Sequence, residues 1–105
     1  MKEFYISSGL PGIYGRRVFL HENTVNDFLR GTHCFLDQLP HEPTHPVAKL
    51  LREVALWGGA DKCYQGWYGY ELSSRPEQGE RDLFLVRETL VAEGFTELRT
   101  CPWAS

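Results

Sequence analysis

The spacing of apolar and polar residues predicts four strands, beginning with two short ones in the first twenty residues. Strand-forming side chains occupy residues 3–8 and 16–20, and the Gly-Leu-Pro-Gly of residues 9–12 stops the first run. The two strands are therefore expected to form a hairpin around residues 9–15.

Two further strands are predicted at residues 63–72 and 95–101. Gly66 and Gly69 indicate a bend or a bulge in the first of these. Alternation along it places Tyr64, Tyr68, Tyr70 and Leu72 on one face and Gln65, Trp67 and Glu71 on the other. The segment that follows, residues 73–79, is predicted to be a polar turn.

Three stretches have the spacing of amphipathic helices. The first begins at the capping residue Thr24 and ends at Gly31. The second begins near Pro46, and its apolar stripe consists of Val47, Leu50, Leu51, Val54 and Trp57. The third covers residues 80–93, and its apolar arc consists of Leu83, Phe84, Val86, Leu90 and Val91. Leu85 points the opposite way, toward solvent.

The order of these elements, ββααβαβ, predicts an α+β fold. We expect a single-layer, mostly antiparallel sheet of about four strands with helices packed on one face. A chain of 105 residues with 42% apolar residues fits one domain, residues 1–105, with a core of its own.

Charge and cysteine content narrow the class of protein. The formal charge is −3 and is spread evenly, which argues against a nucleic-acid partner. The chain has three cysteines, Cys34, Cys63 and Cys101, which cannot all pair with one another and form no Cys-x-x-Cys motif. This is typical of reduced intracellular thiols. No apolar run is long enough to span a bilayer. We therefore expect a cytoplasmic protein that makes no membrane contact.

The glycine-rich segment Gly9 to Gly15 follows a strand, as phosphate-binding loops do, and is followed by Arg16 and Arg17. The Gly-Lys-[Ser/Thr] ending of a Walker loop is missing, and the continuation is predicted to be a strand and not a helix. A hairpin turn is the better interpretation. Arg16 and Arg17 are retained only as a weak anion-binding candidate.

Four potential metal ligands, His33, Cys34, His41 and His45, lie within thirteen residues. The His41 and His45 spacing fits one half of a zinc site, but Cys34 has no nearby second cysteine. No Gly-x-Ser-x-Gly motif or paired catalytic carboxylate is evident either. The sequence predicts no metal, no cofactor and no catalytic residues, and it leaves open whether the four side chains converge.

A second interpretation comes from the aromatic strand. The segment from Tyr68 to Leu72, Tyr-Gly-Tyr-Glu-Leu, resembles the aromatic strand of RNA-recognition motifs, in which bases stack on the sheet. Gln65 stands where that motif has a basic residue, and the order of elements differs. Single-stranded nucleic-acid binding is thus an alternative function.

Aromatic residues make up 13% of the chain, a surplus that suits a protein interface as well as a core. The candidates for an exposed binding surface are Tyr14, Trp67, Leu85 and Trp103. We therefore expect a small non-catalytic protein-binding domain, such as an inhibitor, immunity or adaptor protein of phage or mobile-element type. Its partner would be another protein or a second copy of the chain, and an enzyme without a recognisable motif is the third option.

Overall fold

A mixed sheet of five strands runs through the protein. The computed structural model describes residues 2–7, 15–24, 45–56 and 62–103. The strands are β1 (Glu3–Ser7), β2 (Arg17–His21), β3 (Lys62–Tyr64), β4 (Trp67–Glu71) and β5 (Thr96–Leu98). The helices that lie wholly within the described residues are α1 (Pro46–Val54) and α2 (Pro76–Ala92), and residues 22–24 are also helical.

The strands lie in the order β3-β4-β2-β1-β5. Three of the four pairings are antiparallel, and β1 pairs in parallel with β5, with Tyr5 opposite Leu98. The predicted α+β class and the mostly antiparallel sheet are confirmed, and the sheet is mixed through its β1–β5 edge. The predicted hairpin between the first two strands agrees with their antiparallel pairing, although residues 8–14 lie outside the described residues.

The single strand predicted at residues 63–72 is wrong, because the chain reverses within it. Residues 62–64 and 67–71 form the hairpin β3–β4, joined by a two-residue turn at Gln65 and Gly66. Both turn residues have positive φ, 49° and 85°, as a type I′ turn requires. The hairpin raises the strand count from four to five and moves Tyr64 to the face that carries Trp67.

Helix α1 follows its predicted stripe. Pro46 occupies the first turn, and the His45 imidazole caps it, with its Nδ1 accepting a 3.2 Å hydrogen bond from the Val47 amide. Val47 and Leu51 are buried, while Leu50 and Val54 pack at the margin of the core. Residues 57–61 and 25–44, which include Trp57 and most of the predicted first helix, lie outside the described residues.

Helix α2 begins four residues earlier than predicted, because Pro76 suits a first helical turn. The prediction of a polar turn over residues 73–79 is therefore wrong from residue 76 onward. Its buried side is defined by Gly79, Leu83, Val86 and Leu90. Placing Phe84 and Val91 on that side was wrong. They are 58% and 57% exposed, since the sheet covers a narrower arc of the helix than the apolar pattern suggests. The predicted stop at Gly94 holds, with φ at 87°.

The core lies between the two helices and one side of the sheet, which we call the helix face. Its sheet residues are Phe4, Val18, Leu20, Tyr70 and Leu72, all fully buried. Successive side chains of a strand point to opposite faces of the sheet. Because these residues face the helices, their neighbours along each strand lie on the opposite side. No helix among the described residues has the length and apolar character needed to cross a membrane.

Candidate functional site

The side of the sheet opposite the helices carries a second group of aromatic residues. Tyr5 of β1 lies opposite Phe19 of β2, and Phe19 lies opposite Gly69 of β4. The hairpin turn adds Tyr64, which pairs with Trp67. We call this side, together with Trp103 that lies on it, the aromatic face: it consists of Tyr5, Phe19, Tyr64, Trp67 and Trp103.

Trp103 is the centre of this group. Its ring centroid lies 4.5 Å from Phe19, 5.0 Å from Tyr64 and 5.6 Å from Tyr5. The Tyr64 ring is stacked on it with an interplanar angle of 15°, whereas Tyr5 meets it edge-on at 89°. Offset stacks and edge-to-face pairs are the favourable aromatic geometries, each worth about 0.5–1.5 kcal/mol beyond burial. The four rings therefore hold one another in fixed orientations.

Gly69 makes room for the floor of the cluster. A Cβ atom at this position would lie 2.6 Å from the Phe19 ring, closer than carbon atoms can approach. Because glycine has no side chain, the Phe19 ring covers β4 and is almost fully buried. The absence of a side chain at Gly69 thus explains how the Phe19 ring can pack against β4 and also contact Trp103.

Exposure differs sharply within the aromatic face. Tyr64 is 42% exposed, and Tyr5 and Trp103 are half-buried. Trp67 is only 7% exposed and packs edge-on against His21, with ring centroids 5.2 Å apart. Tyr64 and the outer surfaces of Tyr5 and Trp103 are available to a ligand, whereas Trp67 supports the sheet.

The rim of the face carries a cross-strand ion pair. Arg17 and Glu71 are direct neighbours on β2 and β4, with Nη2 and Oε2 3.6 Å apart and both side chains mostly buried. The Gly15 amide also donates to Glu71 Oε1 at 3.4 Å. On the other side of the sheet, Arg16 pairs with Glu80 of α2. Each guanidinium of the weak anion-binding candidate is thus engaged by a carboxylate.

The four residues proposed from the sequence fall in different places. Trp67 and Trp103 share the aromatic face, where Tyr64 links them by pairing with one and stacking on the other. Leu85 is 44% exposed on α2, on the opposite side of the sheet. Tyr14 lies outside the described residues. The structure therefore brings two of the four together and separates Leu85 from them.

Three aromatic members of the face, Tyr5, Phe19 and Tyr64, were not anticipated from the sequence. One signal could have indicated Phe19: Val18, Phe19 and Leu20 form an unbroken apolar run, and such runs are typical of strands covered on both faces. Tyr64 was assigned to the wrong face because the turn at Gln65 was not recognised.

The tyrosines behind the nucleic-acid alternative point toward the helices. Tyr70 is fully buried in the core, and Tyr68 is half-buried against it. Bases stack on rings that are exposed on an open sheet. The resemblance of this strand to RNA-recognition motifs therefore gains no support from the positions of these two rings.

The metal candidates can be assessed only in part. His33, Cys34 and His41 lie outside the described residues, and His45 serves as the cap of α1. Across residues 2–7, 15–24, 45–56 and 62–103, no three His, Cys, Asp or Glu side chains are grouped as metal ligands would be.

A recess also lies between the end of α1 and the start of α2, with a volume of about 840 Å³. Side chains of both charge signs line it, among them Glu53, Arg75 and Arg81. Asp82, a buried carboxylate of its wall, accepts a 2.8 Å hydrogen bond from Nε2 of the Gln78 side chain. The mixed charge gives this recess no preference for a cation or an anion.

No family model, curated protein or solved structure matches the chain. The chemistry of the aromatic face is apolar contact, stacking and the hydrogen-bonding capacity of the tyrosine hydroxyls. These are the interactions that the exposed part of the face can make.

Proposed function

We propose that the chain is a small non-catalytic protein-binding domain, of the inhibitor, immunity or adaptor kind, and that the aromatic face is its binding surface. The observation that carries the proposal is the stacked pair of Tyr64 and Trp103, of which Tyr64 is 42% exposed. Aromatic side chains left accessible in a fixed arrangement are the typical anchors of protein interfaces.

The rigidity of the cluster supports this role. Trp103 contacts three other rings, and Phe19 beneath it is held above Gly69. A side chain that is already ordered loses little conformational entropy when a partner binds, which saves about 0.5–1.5 kcal/mol for each flexible side chain avoided. Tyr64 and Trp103 are therefore suited to be energetically dominant contacts.

The rim of the face indicates the chemistry of the partner. Arg17 and Glu71 neutralise each other beside the rings. A partner surface does not need a strong charge of either sign to approach, so the complementary surface is expected to be apolar at its centre with polar hydrogen-bonding groups around it.

The proposal is tested by placing a photo-crosslinking amino acid at position 64 in cells of the protein's source. A second variant carries it at position 56, where Leu56 is exposed and lines the recess between α1 and α2. Both variants must keep the circular dichroism spectrum and melting temperature of the wild type. We expect a discrete adduct from position 64 only, and excess wild-type protein should abolish it.

The captured partner then allows a quantitative test with purified proteins. Tyr64→Ala should weaken binding about 30-fold, equivalent to about 2 kcal/mol, as expected for an interface anchor. Leu56→Ala should leave the dissociation constant unchanged. Equal crosslinking from both positions, or a Tyr64→Ala protein that binds as tightly as the wild type, would show that the aromatic face is not the binding surface.

A further inference from the structure

A second apolar surface lies on the outer side of α2. Phe84, Leu85 and Val91 are 58%, 44% and 57% exposed, although the helix already buries Leu83, Val86 and Leu90 against the sheet. Two adjacent exposed apolar residues and a third two turns further along form a continuous strip at helical spacing. Such a strip is typical of a contact surface.

Two opposite charges flank Phe84 and Leu85 within this strip. Arg81 lies one turn before Phe84 and Leu85, Glu88 lies one turn after them, and both are exposed. Neither side chain forms an ion pair with another described residue. Two other charged residues of α2 are paired within the chain: Arg87 binds Glu97 at 2.7 Å, and Glu80 binds Arg16.

The positions of Arg81 and Glu88 are symmetric about the point between Phe84 and Leu85. In an antiparallel pair of α2 helices related by a two-fold axis at that point, Arg81 of one copy faces Glu88 of the other, and the reverse contact forms as well. Phe84 meets its own counterpart across the axis, and so does Leu85. One sequence thereby supplies both halves of a complementary surface.

We propose that this strip, defined by Arg81, Phe84, Leu85, Glu88 and Val91, is a self-association surface through which two copies of the chain pair by antiparallel packing of α2. Each dimer contains two reciprocal Arg81–Glu88 ion pairs around an apolar centre. Electrostatic complementarity fixes the antiparallel register, and the burial of the exposed apolar side chains supplies the attraction.

The size of the surface sets the strength of the dimer. A helix of 17 residues is about 25 Å long, and one face of it buries less than the roughly 1,200–2,000 Å² of a standard stable interface. The dimer is therefore a weak one, with a dissociation constant between about 1 μM and 1 mM. Such a dimer exchanges readily between paired and single forms.

The strip and the aromatic face lie on opposite sides of the sheet, so the two proposals are independent. Pairing through α2 leaves both aromatic faces open and turned away from the two-fold axis. A dimer would then present two binding surfaces, which strengthens binding to a target that carries two copies of its site.

The proposal is tested by sedimentation velocity on charge-reversal variants. Protein concentrations run from 1 μM to 1 mM, roughly the range that brackets a weak dimer. Arg81→Glu places two carboxylates opposite each other at both symmetric contacts, and Glu88→Arg does the same with two cations. Each variant should dissociate at least tenfold more readily than the wild type. Lys49→Glu, an equal charge change on the exposed side of α1, should have no effect.

Mixing provides the decisive result, because it tests the register and not only the surface. An equimolar mixture of Arg81→Glu and Glu88→Arg chains should form heterodimers, and the double variant should dimerise like the wild type. A wild-type protein that stays monomeric at 1 mM would overturn the proposal. So would an unchanged Arg81→Glu dimer, or a mixture that fails to associate.

Discussion

The two faces of the sheet are built from the same strands but are covered in different ways. On the helix face, Phe4, Val18 and Leu20 are fully buried beneath two helices. On the aromatic face, the described cover is a single turn that carries Trp103, and Tyr64 remains 42% exposed. Alternate residues of one strand, such as Phe19 and Leu20, therefore belong to two different packing environments.

Under the proposed function, this difference separates the residues that stabilise the fold from those that bind a partner. Aliphatic side chains under helices give a dense core in which little can move. Aromatic side chains packed on one another keep their orientation while part of each ring stays accessible. The aromatic face can thus expose large apolar groups because most of the fully buried apolar side chains lie on the helix face.

The largest expected loss of stability comes from a substitution on the helix face. Leu20→Ala removes a fully buried side chain and should lower the free energy of unfolding by about 2–5 kcal/mol, measured by urea denaturation. Leu56→Ala, at an exposed position, is the control and should stay within about 0.5 kcal/mol of the wild type. A loss below about 1 kcal/mol for Leu20→Ala would mean that the helix face is not the main core.

An intermediate loss of stability is expected where the Phe19 ring packs against Gly69 of β4. Gly69→Ala places a methyl group against the Phe19 ring and should cost about 1–3 kcal/mol, because the ring is confined by Trp103 above it. A double-mutant cycle with Phe19→Leu isolates the contact. Gly69→Ala should cost clearly less in the Phe19→Leu background, and an equal cost in both backgrounds would contradict the close approach.

The smallest loss of stability is expected for Trp103, the half-buried ring at the centre of the aromatic face. Trp103→Ala should lower the free energy of unfolding by about 1 kcal/mol, since the ring contacts three others but remains partly exposed. The near-ultraviolet circular dichroism of the stacked Tyr64 and Trp103 should be lost as well. A cost above about 3 kcal/mol would show that the aromatic face is as important to folding as the helix face.

Local patterns in the sequence were sufficient to predict much of the fold. The stripe of α1, with Val47 and Leu51 buried, follows from helical spacing and a proline at the start. The strands β1 and β2 follow from runs of strand-forming residues bounded by glycines. Such features depend on interactions between near neighbours in the chain, which sequence reasoning can evaluate directly.

The missed features depend on tertiary contacts or on weak turn signals. Gln65-Gly66 lacks the asparagine or aspartate that usually marks a type I′ turn, so the hairpin was taken for one strand. The exposure of Phe84 and Val91 depends on how much of α2 the sheet covers. The cluster around Trp103 depends on where residues 99–103 return over β2. Neither of these last two features has a local signature.

The parallel pairing of β1 with β5 has a consequence for the synthesis of the protein. Tyr5 can pair with Leu98 only after residues 6–97 have been made, so one edge of β1 has unpaired backbone groups until then. Contacts between residues so distant in sequence slow folding, because a large loop must close before they form. The nascent chain is therefore expected to complete its sheet only once β5 has left the ribosome and to need protection from aggregation until then.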